Sequence, residues 1–199
     1  MFINCGGFMP GSCVNGPGRR AVVWVQGCPL RCPGCFNRDL WSFRPRHVVH
    51  VKELAERILG LPDIEGVTFS GGEPFCQARA LAILGQVLQD AGLTIVTYSG
   101  YPRGTLARTR RESWRALLAV TDLLVAGPFL AHKRSGGPLG GSSNQELVFL
   151  TPRLAGRDVE GRASEEVEFV ISPGGEVTAT GFPARGCILS RSPAWKGGA

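Results

Sequence analysis

At 199 residues, 43% hydrophobic and 19% charged, the chain is long enough for one domain with a sizeable core and too short for two, which excludes wholesale disorder. The longest apolar stretch, residues 117–129, is broken by Asp122 and Gly127-Pro128, and no basic-then-apolar leader opens the chain, so no membrane span and a cytoplasmic setting are expected. A net charge of +6, carried mostly by arginine, suits anionic partners without choosing among nucleic acid, acidic protein and anionic cofactor.

The 28 glycines and 14 prolines follow no fixed period and predict many tight turns. Residues 21–26 (AVVWVQ) predict a short strand, followed at once by a Cys/Pro/Gly segment at 27–35. Val48, Val51, Leu54, Ala55, Ile58 and Leu59 fall at helical spacing and predict a helix over 48–59. Residues 67–70 read as a buried strand running into Gly71-Gly72. Residues 78–91 predict a second amphipathic helix closed by Gly92. A strand at 93–98, a helix at 105–118 and a strand at 122–126 complete the repetition. Strand–helix alternation of this kind implies an α/β fold with a mainly parallel sheet. Beyond Pro128, residues 130–144 read as a long loop and 158–166 as a polar, exposed segment. Residues 167–171 and 177–180, around Pro173-Gly174-Gly175, predict a β-hairpin, and 192–199 a frayed end.

Seven cysteines, at positions 5, 13, 28, 32, 35, 76 and 187, point away from a disulfide framework and toward metal or catalytic thiolates. Cys28, Cys32 and Cys35 lie within eight residues of a loop that Pro29, Pro33 and Gly34 keep out of helix geometry. Three converging thiolates can ligate three irons of a four-iron cluster and leave the fourth open. They can also hold zinc, with Cys76, Cys13 or a histidine as fourth ligand, although a second paired knuckle is missing. Thr68-Phe69-Ser70-Gly71-Gly72-Glu73-Pro74 follows the next strand. Its glycines admit close backbone approach, and Glu73 offers a carboxylate to an ammonium group.

With CxxxCxxC after one strand and Gly-Gly-Glu-Pro after the next, the chain resembles the radical SAM superfamily. The resemblance narrows to the activating enzymes of glycyl-radical proteins, nearest to the activators of anaerobic (class III) ribonucleotide reductase. It is carried by Val14-Asn15-Gly16-Pro17-Gly18-Arg19, by Gln26-Gly27-Cys28, and by Cys32-Pro33-Gly34-Cys35-Phe36-Asn37-Arg38-Asp39-Leu40-Trp41. Tyr98-Ser99-Gly100-Tyr101, Gly127-Pro128-Phe129 and Gly141-Ser142-Ser143-Asn144-Gln145 continue it in order.

The resemblance implies a partial (β/α) barrel over residues 1–150. Residues 151–199 would form an extension, carrying the hairpin, that packs on or beside this core without being an independent domain. It implies a [4Fe-4S] cluster on Cys28, Cys32 and Cys35, with S-adenosyl-L-methionine (SAM) on the open iron. Gly71, Gly72 and Glu73, with Pro74 completing the block, would hold the methionine ammonium. Gly34, Cys35 and Phe36 would line the adenine side, and Ser99 would lie near the ribose or carboxylate. Reductive cleavage of SAM would release a 5′-deoxyadenosyl radical that takes hydrogen from a partner, typically from a backbone glycine. The expected partners are a glycyl-radical enzyme and an electron donor such as flavodoxin or ferredoxin; neither a membrane nor nucleic acid is expected.

The chain departs from the family in three places. Ala126 stands where many of these activators carry an acid, Gly140 where they often carry arginine, and the extension after Thr151 exceeds the smallest of them. Two rival functions follow: a small radical SAM enzyme modifying another protein, a peptide or a small molecule, and a zinc-stabilised binding module using the arginines at 103, 108, 110, 111 and 115. Cys5, Cys13, Cys76 and Cys187 read as ordinary cysteines, Cys76 as a packed residue at a helix start. His47, His50 and His132 read as surface or capping residues.

Overall fold

The computed structural model describes residues 1–134, 139–157, 159, 167–171, 174–175 and 177–182. Its centre is a seven-stranded sheet of order β3-β1-β2-β4-β5-β6-β7. These strands are β1 (Phe2–Ser12), β2 (Arg20–Val25), β3 (His47–His50), β4 (Gly66–Gly71), β5 (Thr94–Ser99), β6 (Leu123–Ala126) and β7 (Glu146–Phe149). The inner four, β2, β4, β5 and β6, run parallel. β1 pairs antiparallel with both β2 and β3, and β7 antiparallel with β6.

The parallel strands are buried on both faces, as crossover connections require. On one face Val23, Val25, Val67, Phe69, Ile95 and Leu124 pack against α1 (Val51–Leu59), α2 (Ala78–Asp90) and α4 (Glu112–Ala119) in the main core. The alternate residues face the other way. Val96, Leu123 and Val125 meet Leu139, Leu154 and Val159, while Val22 and Trp24 meet Met9 and Leu40. Val159 is 1% exposed, so at that residue the polar segment expected at 158–166 is core; its other residues lie outside those described.

Helix boundaries follow local chemistry. His50 caps α1 by accepting from the Lys52 N–H, and residues 48–50, expected as the start of the helix, are instead drawn with His47 into a ladder with β1. α2 ends in a Schellman motif: Leu93 N–H donates to Leu88 O and Gly92 N–H to Gln89 O, with Gly92 at φ +90°. The expected helix at 105–118 is two pieces, α3 (Arg103–Ala107) and α4. Between them Thr109 Oγ1 accepts from the Arg111 N–H, a local turn that competes with helix propagation.

One end of the sheet is tied by a buried polar network. Arg20 has no exposed surface, and its guanidinium donates to Pro17 O, Val67 O, Thr94 O and the hydroxyls of Thr68 and Thr94. Burial lowers its pKa to about 9. Thr68 in turn donates to Asn15 O, so the segment joining β1 to β2 hangs from the parallel strands. Asp122, also fully buried, accepts from Ile95 N–H, the Thr151 hydroxyl and Arg153, and joins β5 to the chain after β7.

Outside this sheet, β8 (Val167–Ile171) pairs antiparallel with β9 (Val177–Gly181). Among the described residues no helix is long and apolar enough to cross a membrane.

Candidate active site

The parallel strands end at one rim, and each passes there into a loop: β2 into Gln26-Gly27-Cys28, β4 into Gly72-Glu73, β5 into Gly100 and β6 into Gly127. Ligands of parallel sheets bind at the carboxyl ends of the strands, where variable loops stand on a fixed scaffold. A pocket opens at this rim, and Cys28, Cys32, Cys35, Phe36, Gly71, Gly72, Glu73 and Ser99 all line it.

The three cysteines ride on one loop, residues 28–41, closed at its base. Gly27 N–H donates to Leu40 O at 2.8 Å and Cys28 N–H to Trp41 O at 3.1 Å. Leu40 is fully buried beneath the loop, and the Gln26 amide donates to Asp39 O and Ser42 O. Left-handed residues, Arg31 at φ +47° and Gly34 at φ +78°, reverse the chain so that the sulfurs turn inward. Burial pushes the Cys28 and Cys35 thiols up, and hydrogen bonds partly offset it. Backbone N–H groups of Arg31 and Leu30 serve Cys28, while Asn37 N–H donates to Cys35 Sγ at 3.4 Å. The buried Trp41 indole N–H has no oxygen or nitrogen acceptor among the described residues; it lies toward the Cys35 sulfur and lowers that thiol's pKa. Thiols that rest protonated and bind metal as thiolates must release protons on loading.

Glu73 is the charged residue of the pocket and is 1% exposed. Its Oε1 accepts from Phe75 N–H and the Ser99 hydroxyl, each at 3.0 Å, and its Oε2 from Gly100 N–H at 2.8 Å. Burial pushes its pKa up to about 7 despite those donors. A desolvated carboxylate with three fixed donors and no ion pair among the described residues suits a cationic ligand.

The sequence-predicted residues play more varied parts than their motif suggests. A Cβ on Gly71 would strike the Val25 backbone, and one on Gly72 the Gly27 carbonyl, so these glycines seat β4 against the cysteine loop. The Ser99 proton is committed to Glu73, and its oxygen accepts from Tyr101 N–H. Pro74 is buried at the first position of a 3-10 turn, Pro74–Gln77, which Glu73 caps. Neither Pro74 nor Gly34 lines the pocket. Phe36 rests on Phe129, ring centroids 5.1 Å apart.

Other lining residues carried no role in the sequence reading: Asn15, Asn37, Tyr98, Gln145, Thr180 and Phe182. Gln145 accepts from the N–H groups of Gly141 and Ser142 and donates to Gly127 O, while Asn144 donates to Pro128 O. The Gly-Pro-Phe and Gly-Ser-Ser-Asn-Gln blocks are therefore two halves of one rim, joined by the amide side chains of the second block and the backbone carbonyls of the first.

Cys5 is buried in β1, its thiol pushed up to about 12 by burial, and Cys13 is exposed beyond the far end of that strand. Cys76, expected as a packed residue, is exposed in the turn after Glu73 and lines a separate groove. Cys187 lies outside the described residues. No group of three His, Cys, Asp or Glu is gathered around a single-ion position among the described residues. Tetrahedral zinc needs sulfurs under about 4 Å apart, whereas thiolates on separate irons stand wider, and the fourth ligand of the zinc reading does not join the three thiols. The arginines of α3 and α4 are exposed; Arg111 stacks on Trp114 and Arg103 faces Glu146 at 3.9 Å.

Three thiols on a closed loop beside a buried carboxylate fit an iron–sulfur cluster with a small cationic cofactor, and the class so defined is that of single-cluster iron–sulfur enzymes. A family model described as 4Fe-4S single cluster domain matches residues 14–148. The anaerobic ribonucleoside-triphosphate reductase-activating protein of Vibrio cholerae is 34% identical over 155 residues, covering 72% of this chain and 96% of that protein. The pyruvate formate-lyase-activating enzyme of Clostridium pasteurianum is 34% identical over 118 residues, covering 56% of this chain and 46% of that enzyme. Among solved structures, QueE from Escherichia coli is 18% identical with a TM-score of 0.42, covering 50% of this chain and 53% of that one. The chain belongs to the 4Fe-4S single-cluster family of radical SAM activating enzymes.

Proposed function

We propose that this protein installs a glycyl radical on a large partner enzyme such as anaerobic ribonucleotide reductase. The observation that carries the reading is the convergence of Cys28, Cys32, Cys35 and Glu73 on one pocket at the carboxyl end of a parallel sheet. When bound, the [4Fe-4S] cluster and SAM supply a one-electron cleavage that yields the 5′-deoxyadenosyl radical.

The chain's own residues bind, orient and exclude water. Cys28, Cys32 and Cys35 would hold three irons, with the N–H groups around Cys35 offsetting negative charge on its sulfur. Glu73, between Gly72 and Gly100, would take the methionine ammonium, and that pairing would draw its carboxyl back toward the ionised form. Ser99 and the Phe75 and Gly100 N–H groups keep both oxygens in place. Cys35 and Phe36, backed by Phe129, would offer the adenine a flat apolar side, with Gly34 turning the chain behind them. Ser99, held through Glu73, would meet the ribose or carboxylate edge. Trp24 and Tyr98 on the sheet face would keep water from the reacting centre.

In this reading residues 1–150 form a partial (β/α) barrel and residues 151–199 an extension against it. The protein works in the cytoplasm with a one-electron donor of flavodoxin or ferredoxin type. The test is anaerobic reconstitution with iron and sulfide, addition of dithionite and SAM, and assay of 5′-deoxyadenosine by mass spectrometry. Production in the wild type and its loss in Cys32→Ala are expected. Zinc in place of iron, with no deoxyadenosine, would overturn the reading.

A second reading keeps the chemistry and changes the substrate to another protein or peptide. Ala126, where relatives often carry an acid, is fully buried at the end of β6. Hydrogen transfer from anaerobic ribonucleotide reductase, read as a glycyl radical signal, separates the two.

A further inference from the structure

The β8–β9 pair shares no ladder with the main sheet, yet Ala179, Thr180, Gly181 and Phe182 enter the pocket of the three cysteines and Glu73. Polar contacts tie it there. Asn15 Nδ2 donates to Thr180 Oγ1 at 2.9 Å in a buried position, and Cys13 N–H donates to Glu168 Oε2 at 3.1 Å. The Phe182 ring stands 6.4 Å from that of Tyr98. Little apolar surface holds the pair down, because Phe169, Ile171 and Val177 share a face that is 60%, 69% and 62% exposed. The family match ends at residue 148, so this pair is an addition to the shared core.

An extended strand bearing a glycine, laid across a pocket where a radical enzyme meets a glycine of its partner, has the shape of a substrate. We propose that β9 is an intramolecular stand-in: residues 179–182 occupy the place that an extended, glycine-bearing segment of the partner protein takes during reaction. This rests on the activase reading for the identity of the displacing segment. Asn15 suits both states, since its amide donates equally well to a threonine hydroxyl or to a peptide carbonyl. Until displaced, the strand walls off the pocket from water and from small hydrogen donors. The partner segment gains entry by taking over the Asn15 contact and releasing Phe182 from Tyr98, a two-state exchange that its own binding drives.

The test uses the full-length, cluster-loaded protein and a labelled hexapeptide copying residues 177–182, Val-Thr-Ala-Thr-Gly-Phe, followed by fluorescence anisotropy and by amide hydrogen exchange. Thr180→Val combined with Phe182→Ala is expected to speed exchange over residues 167–182 at least tenfold and to tighten peptide binding about tenfold, while Thr180→Ser alone keeps wild-type values. In the wild type, saturating peptide should speed exchange in β8 and β9 and leave β4 and β5 unchanged. Unchanged exchange, or faster exchange without tighter peptide binding, would overturn the proposal. Deoxyadenosine formation, measured separately, reports on the activase reading, and its absence leaves the displacement result intact.

Discussion

Replacing Glu73 with glutamine isolates the energetic consequence of burying a carboxyl group at the pocket. The folded protein raises this pKa from 4.5 to about 7. That gap of roughly 2.5 units corresponds to about 3 kcal/mol of preference for the protonated form in the native state. The folded state therefore binds the proton more tightly than the unfolded one. Its contribution to stability is complete below pH 4.5, declines through the window up to pH 7, and is gone above it. The glutamine variant would have no proton to lose, and its amide nitrogen would face the Gly100 N–H, adding a pH-independent penalty of about 1–3 kcal/mol. The slope is thus the diagnostic quantity. Urea unfolding of the metal-free protein at pH 5, 6, 7 and 8 should show the wild type losing about 1.4 kcal/mol per pH unit relative to Glu73→Gln across the window. Parallel profiles for the two proteins would mean that the buried carboxyl holds its proton no more tightly than an exposed one. In the cluster-loaded protein, the proposed function has SAM binding more weakly at pH 6 than at pH 7.5, because only an ionised carboxylate would pair with the ammonium; Glu73→Gln should abolish that dependence.

Arg20→Leu would strand the acceptors of Pro17, Val67 and Thr94 inside the fold, and should cost about 3 kcal/mol or more, read as a lowered thermal midpoint. Gly72→Ala would drive a methyl group onto the Gly27 carbonyl beneath the cysteine loop, and reconstituted iron content should fall while the far-ultraviolet circular dichroism of the sheet and helices persists. Cys13→Ser and Cys76→Ser should leave iron content at the wild-type value, since neither residue lines the three-thiol pocket. Asp122→Ala strands the buried Ile95 N–H and removes the inner half of an ion pair whose arginine reaches solvent, and should destabilise by about 1–3 kcal/mol in denaturant titrations.

Periodicity revealed the parallel strands because apolar runs such as 21–25 and 67–69 are buried on both faces, and turn residues bound them. β1 escaped notice: three glycines and a proline interrupt its alternation, and two register shifts against β2 absorb them. β7 is a four-residue edge strand whose pattern carries little signal. The gathering of Cys28, Cys32 and Cys35 was legible because spacing in the chain decides it: thiols three and four residues apart on one loop need no tertiary information to meet. The supports of Glu73 were not, since Ser99 and Gly100 reach it only through the β4–β5 crossover. Likewise the bond from Asn15 to Thr180 spans 165 positions, and no local pattern announces it. The GGEP glycines show how a motif can carry an incomplete reason. Their missing side chains make room for neighbouring backbone, and the ligand's neighbourhood follows from that packing.

The closed base of the cysteine loop bears on what the protein keeps when a cluster is lost. Because Gly27 and Cys28 bond to Leu40 and Trp41, and Leu40 is anchored in the core, the ring keeps its outline through backbone and packing contacts that involve no iron. In the proposed function, a four-iron cluster held by three thiolates would be the part of the enzyme most exposed to oxidative loss. Losing it would then empty a socket whose rim is still standing, so that repair becomes a matter of resupplying iron and sulfide and does not require a new polypeptide.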